Sequence, residues 1–164
     1  MTSAAPPVTL AVCDIDGVLA DVTHRLHHLE TRPKNWRGFF AAADRDPVLE
    51  PGVALVRELS QQHEVLYLTG RPAHLRRATL RWLARHALPP GDLVMRRAGD
   101  FRPAREVKLA ELDHLSEQRA VDIVVDDDPA VVAALRAAGY AVLHADWATR
   151  TATLQDAQER EGRT

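Results

Sequence analysis

The run Val12-Cys13-Asp14-Ile15-Asp16-Gly17 ends an apolar stretch in two carboxylates one residue apart, followed at once by glycine. Acids that close repel each other unless a cation or a shared proton compensates. The fitting cation is Mg²⁺, which takes oxygen ligands and keeps several of its waters. Alternate residues of a strand point the same way, whereas a bent exit would aim one carboxylate at a substrate and the other beside it. Asp and Gly also favour plain surface turns, so the motif gains meaning only from its companions.

Those companions recur at strand ends. Val8–Ile15 is a continuous apolar run, as expected of a strand buried on both faces. Further strands are expected at 65–68, 93–95, 121–125 and 140–143. Between them, helices are expected from about Val53 to Ser60, from Pro72 to about His86, from Pro103 to Gln118 and from Pro129 to Gly139. Strands alternating with helices imply a parallel sheet covered on both faces, and such sheets bind ligands beyond the C-terminal strand ends. Three polar signals fall there: Asp14 and Asp16, then Thr69-Gly70-Arg71, then Asp126-Asp127-Asp128. The expected fold class is α/β, a Rossmann-like three-layer sandwich with a central, mostly parallel five-stranded sheet. A small helical insertion is expected over about 20–50, residues 1–7 as a frayed start, and 148–164 as a loose tail or marginal helix, all within one domain of 164 residues.

Composition narrows the classes. Apolar residues make up 46% of the chain and the formal net charge is −2, so no global field favours nucleic acid or membrane. Cys13 stands alone inside the first apolar run, which excludes an intramolecular disulfide framework. No run approaches the length of a membrane helix, and the N-terminus lacks a basic segment followed by an apolar one. A cytoplasmic location is expected. Only Lys34 and Lys108 among the 21 basic residues are lysines, a bias that weakens arguments from arginine number alone.

Taken in order, these motifs resemble the haloacid dehalogenase-like (HAD) superfamily of phosphatases over about residues 8–145. Asp14-Ile15-Asp16-Gly17-Val18 matches its first motif, Thr69-Gly70-Arg71 the second, Lys108 the third and Asp126-Asp127-Asp128 the fourth. The resemblance implies that Asp14 attacks phosphorus to form an aspartyl-phosphate. Asp16 would act as general acid and base, Thr69 would hydrogen-bond a phosphoryl oxygen, and Lys108 would offset charge. Mg²⁺ would be held by Asp14, by the main-chain carbonyl of Asp16 and by either Asp126 or Asp127. Thr69 as a helix cap and Lys108 as a solvated helix residue are the plainer alternatives, and Asp128 before Pro129 reads as an N-cap. An acid at position 16 suits phosphate transfer rather than dehalogenation, because a halide leaves without a proton.

The insertion at 20–50 is too short for a separate cap domain, so an open site and a bulky substrate are expected. Thr69-Gly70-Arg71, the basic helix after it, Met95-Arg96, Gly99-Asp100 and Val107-Lys108 are similar to the phosphatase domain of bacteriophage-type polynucleotide kinase–phosphatases. That similarity implies 3′-phosphate ends of nucleic acid as substrate, with Arg71 and its neighbour Gly70 at the substrate; His24, Arg25 and Lys34, from the insertion after the first motif, are further expected substrate contacts. Arg77, Arg81 and Arg85 recur on one helix face, a patch able to steer a polyanion or simply a solvated surface. The alternatives are a phosphatase of a small metabolite and a noncatalytic module that binds phosphorylated ligands.

Overall fold

The computed structural model describes residues 8–164; the expected frayed start at 1–7 lies outside the described residues. Five strands form one sheet: β1 (Leu10–Cys13), β2 (Glu64–Pro72), β3 (Gly91–Arg96), β4 (Val121–Asp126) and β5 (Val142–His144). Their order is β3-β2-β1-β4-β5, and every pairing is parallel. The helices are α1 (Trp36–Ala41), α2 (Glu50–Leu59), α3 (Arg76–Arg85), α4 (Ala104–Ser116), α5 (Pro129–Ala137) and α6 (Ala152–Glu159).

Alternation along the strands builds two cores, one per face. Leu10 and Val12 of β1 join Leu66, Leu68 and Val124 in a cluster closed by Leu112 of α4 and by Val131 and Leu135 of α5. Cys13, Val65, Tyr67 and Val125 point the other way, against Val53 and Val56 of α2 and Trp82 and Leu83 of α3. Burial on both faces is why these strands read as unbroken apolar runs.

Two expectations need correction. The second strand does not yield to a helix at Pro72. It stays extended through Pro72, which pairs with Arg96, and α3 starts only at Arg76 after a 3-10 turn over Ala73–Leu75. The tail is not loose either. Thr151 caps α6 by accepting from the Leu154 amide, and Leu154 and Ala157 are fully buried in the first core. Two apolar residues three apart suffice to seat this helix, a signal too sparse to stand out in a polar segment. The insertion after β1 contains a 3-10 helix (Thr23–Leu29) and α1, which Asn35 caps from the Gly38 amide.

The sheet order reverses around β1. The chain moves from β1 outward through β2 and β3, then returns to place β4 on the other side. Loops leaving β1 and β4 therefore diverge, opening the crevice where doubly wound sheets bind ligands.

Candidate active site

Asp14 follows β1 directly, and Asp126 ends β4, its neighbour. The Asp14 amide donates to the Val125 carbonyl at 3.0 Å, which fixes the relative height of the two strand ends. One carboxylate oxygen from each of Asp14, Asp126 and Asp127 then lies within 4.8 Å of the others. Gly17, at φ +80°, permits this closeness: a Cβ there would lie 2.1 Å from Asp127 Oδ2. Lys108 of α4 enters from the side. Its Nζ is 2.7 Å from Asp14 Oδ2 and donates to Asp126 Oδ2 at 2.5 Å. Arg150, from the segment before α6, pairs with Asp127 Oδ2.

Burial sets the protonation of this cluster. Asp14 is pushed up to about 7 by burial and by Asp126, against the pull of Lys108. Asp127 is raised well above the usual carboxylate range by burial, Asp126 and Asp14. Burial would lower Lys108, but Asp126 and Asp14 outweigh it and hold the ammonium well above its ordinary value. Asp127 Oδ1 is buried with no hydrogen-bond partner. Three converging carboxylates with an unpaired oxygen form a donor set of hard oxygens, which suits Mg²⁺.

Asp16 faces a different environment. Arg71 donates to its Oδ1 through Nε at 2.8 Å and Nη2 at 2.6 Å, while Arg25 Nη2 lies 3.1 Å from Oδ2. The same guanidinium groups meet a second acid, Asp46. Arg25 spans both its oxygens at 2.8 and 2.9 Å, and Arg71 Nη2 reaches Oδ2 at 2.8 Å. His24 Nε2 joins at 2.7 Å from Asp46 Oδ1, and the Trp82 indole donates to the Asp46 carbonyl at 2.8 Å. Burial alone would raise Asp16; Arg71 and then Arg25 outweigh it and hold the carboxyl down at about 2. Arg25 also packs over the Phe39 ring, 4.3 Å from its centroid.

The expected residues therefore separate into groups. Asp14, Lys108, Asp126 and Asp127 meet at the strand ends, and Asp126 and Asp127 both approach Asp14. Asp16, Arg71, Arg25 and His24 meet around Asp46. Thr69 is buried at the end of β2 and accepts from the Arg71 amide at 3.2 Å, so it does not cap α3. Gly70 faces the C-terminal segment: a Cβ there would lie 2.2 Å from the Thr164 carbonyl carbon. Lys34 pairs with Glu161 of that segment, away from the acids. Asp128 caps α5 by accepting from the Ala130 amide at 2.9 Å. Sequence reasoning missed Asp46 and Arg150. Asp46-Pro47 reads as a turn, and an arginine in a polar tail carries no local mark. The site is not open, either: Asp14, Asp16, Asp126 and Asp127 are each 4% exposed or less, and the C-terminal segment lies across Gly70.

Comparison with known proteins adds an independent line. The family model of the polynucleotide kinase PNKP phosphatase domain matches residues 8–148. A structure of the Pnkp1/Rnl/Hen1 complex aligns with TM-score 0.70 and 24% identity, over 90% of this chain and 49% of that one. A structure of the Pnkp1/Rnl/Hen1 RNA repair complex aligns with TM-score 0.67 and 25% identity, over 90% and 47%. The chain thus spans about half the length of these two. A HAD family enzyme from Bacteroides thetaiotaomicron, in complex with magnesium and inorganic phosphate, aligns over 90% of this chain and 98% of its own, with 12% identity and TM-score 0.53. Comparison with curated protein sequences gives no match. Among the described residues no helix is long and apolar enough to cross a membrane.

Proposed function

The chain belongs to the PNKP phosphatase-domain family and is a phosphatase, and from that premise we propose a Mg²⁺-dependent phosphomonoesterase that works through an aspartyl-phosphate on Asp14 and takes nucleic-acid ends carrying a 3′-phosphate. The observation that carries the chemistry is Asp14 itself: a buried carboxylate 2.7 Å from Lys108 Nζ and gathered with Asp126 and Asp127. The nucleic-acid substrate is supported by the family membership and by the likeness to a component of an RNA repair complex.

Asp14 attacks phosphorus; the new P–O bond forms as the bond to the leaving oxygen breaks, and that oxygen takes a proton. Lys108 neutralises Asp14 before attack and the phosphoryl oxygens afterwards. Mg²⁺, held by Asp14, Asp126 and Asp127, would supply the remaining charge compensation. Asp16 works on the proton. Arg71 and Arg25 hold it as the carboxylate, the form that takes a proton from the water cleaving the intermediate. A phosphoryl dianion at Thr69 competes for Arg71, and loosening that guanidinium lets Asp16 take a proton from solvent and pass it to the leaving oxygen.

The test is phosphate release with Mg²⁺ from a 3′-phosphorylated oligonucleotide, its 5′-phosphorylated counterpart, a mononucleotide panel and a generic aryl phosphate, with Asp14→Asn as the blank. Release from the 3′ end, absent in the variant and in EDTA, is expected. Release from mononucleotides alone moves the substrate to small metabolites. Silence throughout favours a phospho-ligand binding module.

A further inference from the structure

The acid cluster takes one of its cations from beyond the part of the chain that the family model covers. That model matches residues 8–148. Arg150 lies just past it, and its Nη1 pairs with Asp127 Oδ2. Lys108 pairs with the other two acids, 2.7 Å from Asp14 Oδ2 and 2.5 Å from Asp126 Oδ2. Among the described residues, Arg150 is therefore the cation paired with Asp127.

Arg150 is itself held in place. Its Nη2 donates to Gln158 Oε1 at 3.0 Å. Gln158 belongs to α6 and is 4% exposed, a depth at which an amide needs a partner. α6 is fixed in turn by Leu154 and Ala157 in the first core. The chain on either side of Arg150 is pinned as well: Trp147 Nε1 donates to the Val18 carbonyl at 2.9 Å, and Thr151 caps α6. A guanidinium is planar and carries its donors in a rigid fork, so one that meets both Gln158 and Asp127 has little freedom to turn.

The carboxylate is held to match. Asp127 is 1% exposed, and its main-chain carbonyl lies 3.1 Å from His144 Nε2 of β5. Arg150 occupies Oδ2, while Oδ1 is buried with no hydrogen-bond partner. A buried acceptor left unmatched costs free energy until a ligand meets it. The arginine thus fixes the carboxylate by one oxygen and leaves the other for a ligand.

Two roles are open to a cation placed so. It can stand in for the metal and leave when the metal arrives, or it can hold a metal ligand still. A stand-in would bridge several of the converging acids and be free to swing out. Arg150 pairs with Asp127 alone among the three, and Gln158 braces it from behind. We propose that Arg150, braced by Gln158, is a positioning residue that holds Asp127 by Oδ2 and keeps Oδ1 for Mg²⁺. This rests on the Mg²⁺-dependent reading above and adds to its site a residue that touches neither metal nor substrate. Partners behind metal ligands orient them in this way, and losing one typically costs about 10- to 100-fold in metal affinity or activity. Charge alone acts with the opposite sign, because removing a cation beside the site would tighten Mg²⁺ binding. The direction of the change therefore separates the two roles.

The test uses the full chain and Mg²⁺ as the probe. Affinity is measured by isothermal titration calorimetry without substrate for the native protein, Arg150→Ala and Gln158→Leu, beside melting curves in Mg²⁺-free buffer. The Mg²⁺ dependence of aryl phosphate turnover is measured for the same three proteins. Arg150→Ala is expected to bind Mg²⁺ about 10- to 100-fold more weakly. The Mg²⁺ concentration for half-maximal turnover should rise by the same factor, while turnover at saturating Mg²⁺ falls less. Gln158→Leu, which frees the guanidinium without removing its charge, should shift both in the same direction by a smaller factor. Should Arg150→Ala fail to fold, Gln158→Leu decides: weaker Mg²⁺ binding supports the proposal and unchanged binding overturns it. Tighter binding by Arg150→Ala overturns it in favour of a stand-in for the metal. A lower melting temperature with unchanged affinity also overturns it, since that is a structural role alone. Native protein that binds no Mg²⁺ overturns the metal reading and this proposal with it. Failure to hydrolyse oligonucleotides overturns the substrate reading alone, because the affinity is measured without substrate.

Discussion

Asp14 and Asp16 are two residues apart in the chain and equally buried, each 4% exposed, yet their surroundings push them in opposite directions. Asp14 shares its space with Asp126 and Asp127 against Lys108 and Arg150, three acids to two cations. Asp16 shares its space with Asp46 against Arg25 and Arg71, two to two. The first carboxyl is lifted to about 7 and the second held at about 2. Burial acts on both alike, so the difference lies in the balance of charge. The acid-rich half has room for a further cation, whereas the arginine half balances its own charge, with Asp16 Oδ2 and Arg25 Nη1 left without a hydrogen-bond partner.

Substitutions can break this contrast. Asp14→Asn should reduce turnover at least 10³-fold, since the proposed nucleophile is lost, while leaving the melting temperature in Mg²⁺-free buffer unchanged or higher, because one of three crowded acids is gone; a melting curve beside the activity assay checks both. On the other side, Asp46→Asn should cost about 3–5 kcal/mol in urea denaturation, because it leaves Arg25 and Arg71 with excess buried charge. A loss below 1 kcal/mol there would mean the arginine half is not a closed network. Mg²⁺ sharpens the comparison. At a hundredfold excess over its dissociation constant it should stabilise the protein by about 2.7 kcal/mol, with most of that gain gone in Asp127→Asn and retained in Asp46→Asn, as differential scanning fluorimetry would reveal.

The smallest effect concerns the C-terminal segment. Glu159 on α6 is raised to about 7 by burial and by Asp128, against Arg105. An acid raised on folding favours the folded state at low pH, and that contribution fades as pH climbs from its ordinary 4.5 through about 7. Glu159→Gln should therefore lessen the fall in melting temperature between pH 5.5 and pH 8 by a degree or so; an unchanged fall would remove Glu159 as its source.

Much of the fold was legible because parallel strands buried on both faces leave unbroken apolar runs, and Val65–Leu68 and Val121–Val125 stand out for that reason. The acids at the ends of such runs point to the candidate edge, since β1 ends at Cys13, just before Asp14, and β4 ends at Asp126. Less legible was the arginine half. Asp46 lies 30 residues beyond Asp16 and reads as part of a turn; its value comes from closing on Arg25 and Arg71, a contact no local pattern encodes. Arg71 read as a substrate contact because of the family resemblance of its motif, while the ion pairs it makes depend on where the insertion folds. The C-terminal segment was hard to read for a related reason: α6 buries only a narrow face, so its polarity obscures how firmly it is seated, and the residues after it lie across Gly70.

By itself, the sequence determined the alternation of strands and helices, the acids at two strand ends, and the superfamily to which those motifs point. Strand periodicity and turn chemistry are local, and a chain carries them in the order of its residues. The tertiary structure decided which carboxylates share which cations. Coulomb interactions depend on distance in space and on burial, and neither exists until β4 lies beside β1 and the insertion folds back over Arg71. Two aspartates that look alike in the chain thereby become a crowded acid with room for a metal and a carboxylate already held by arginine.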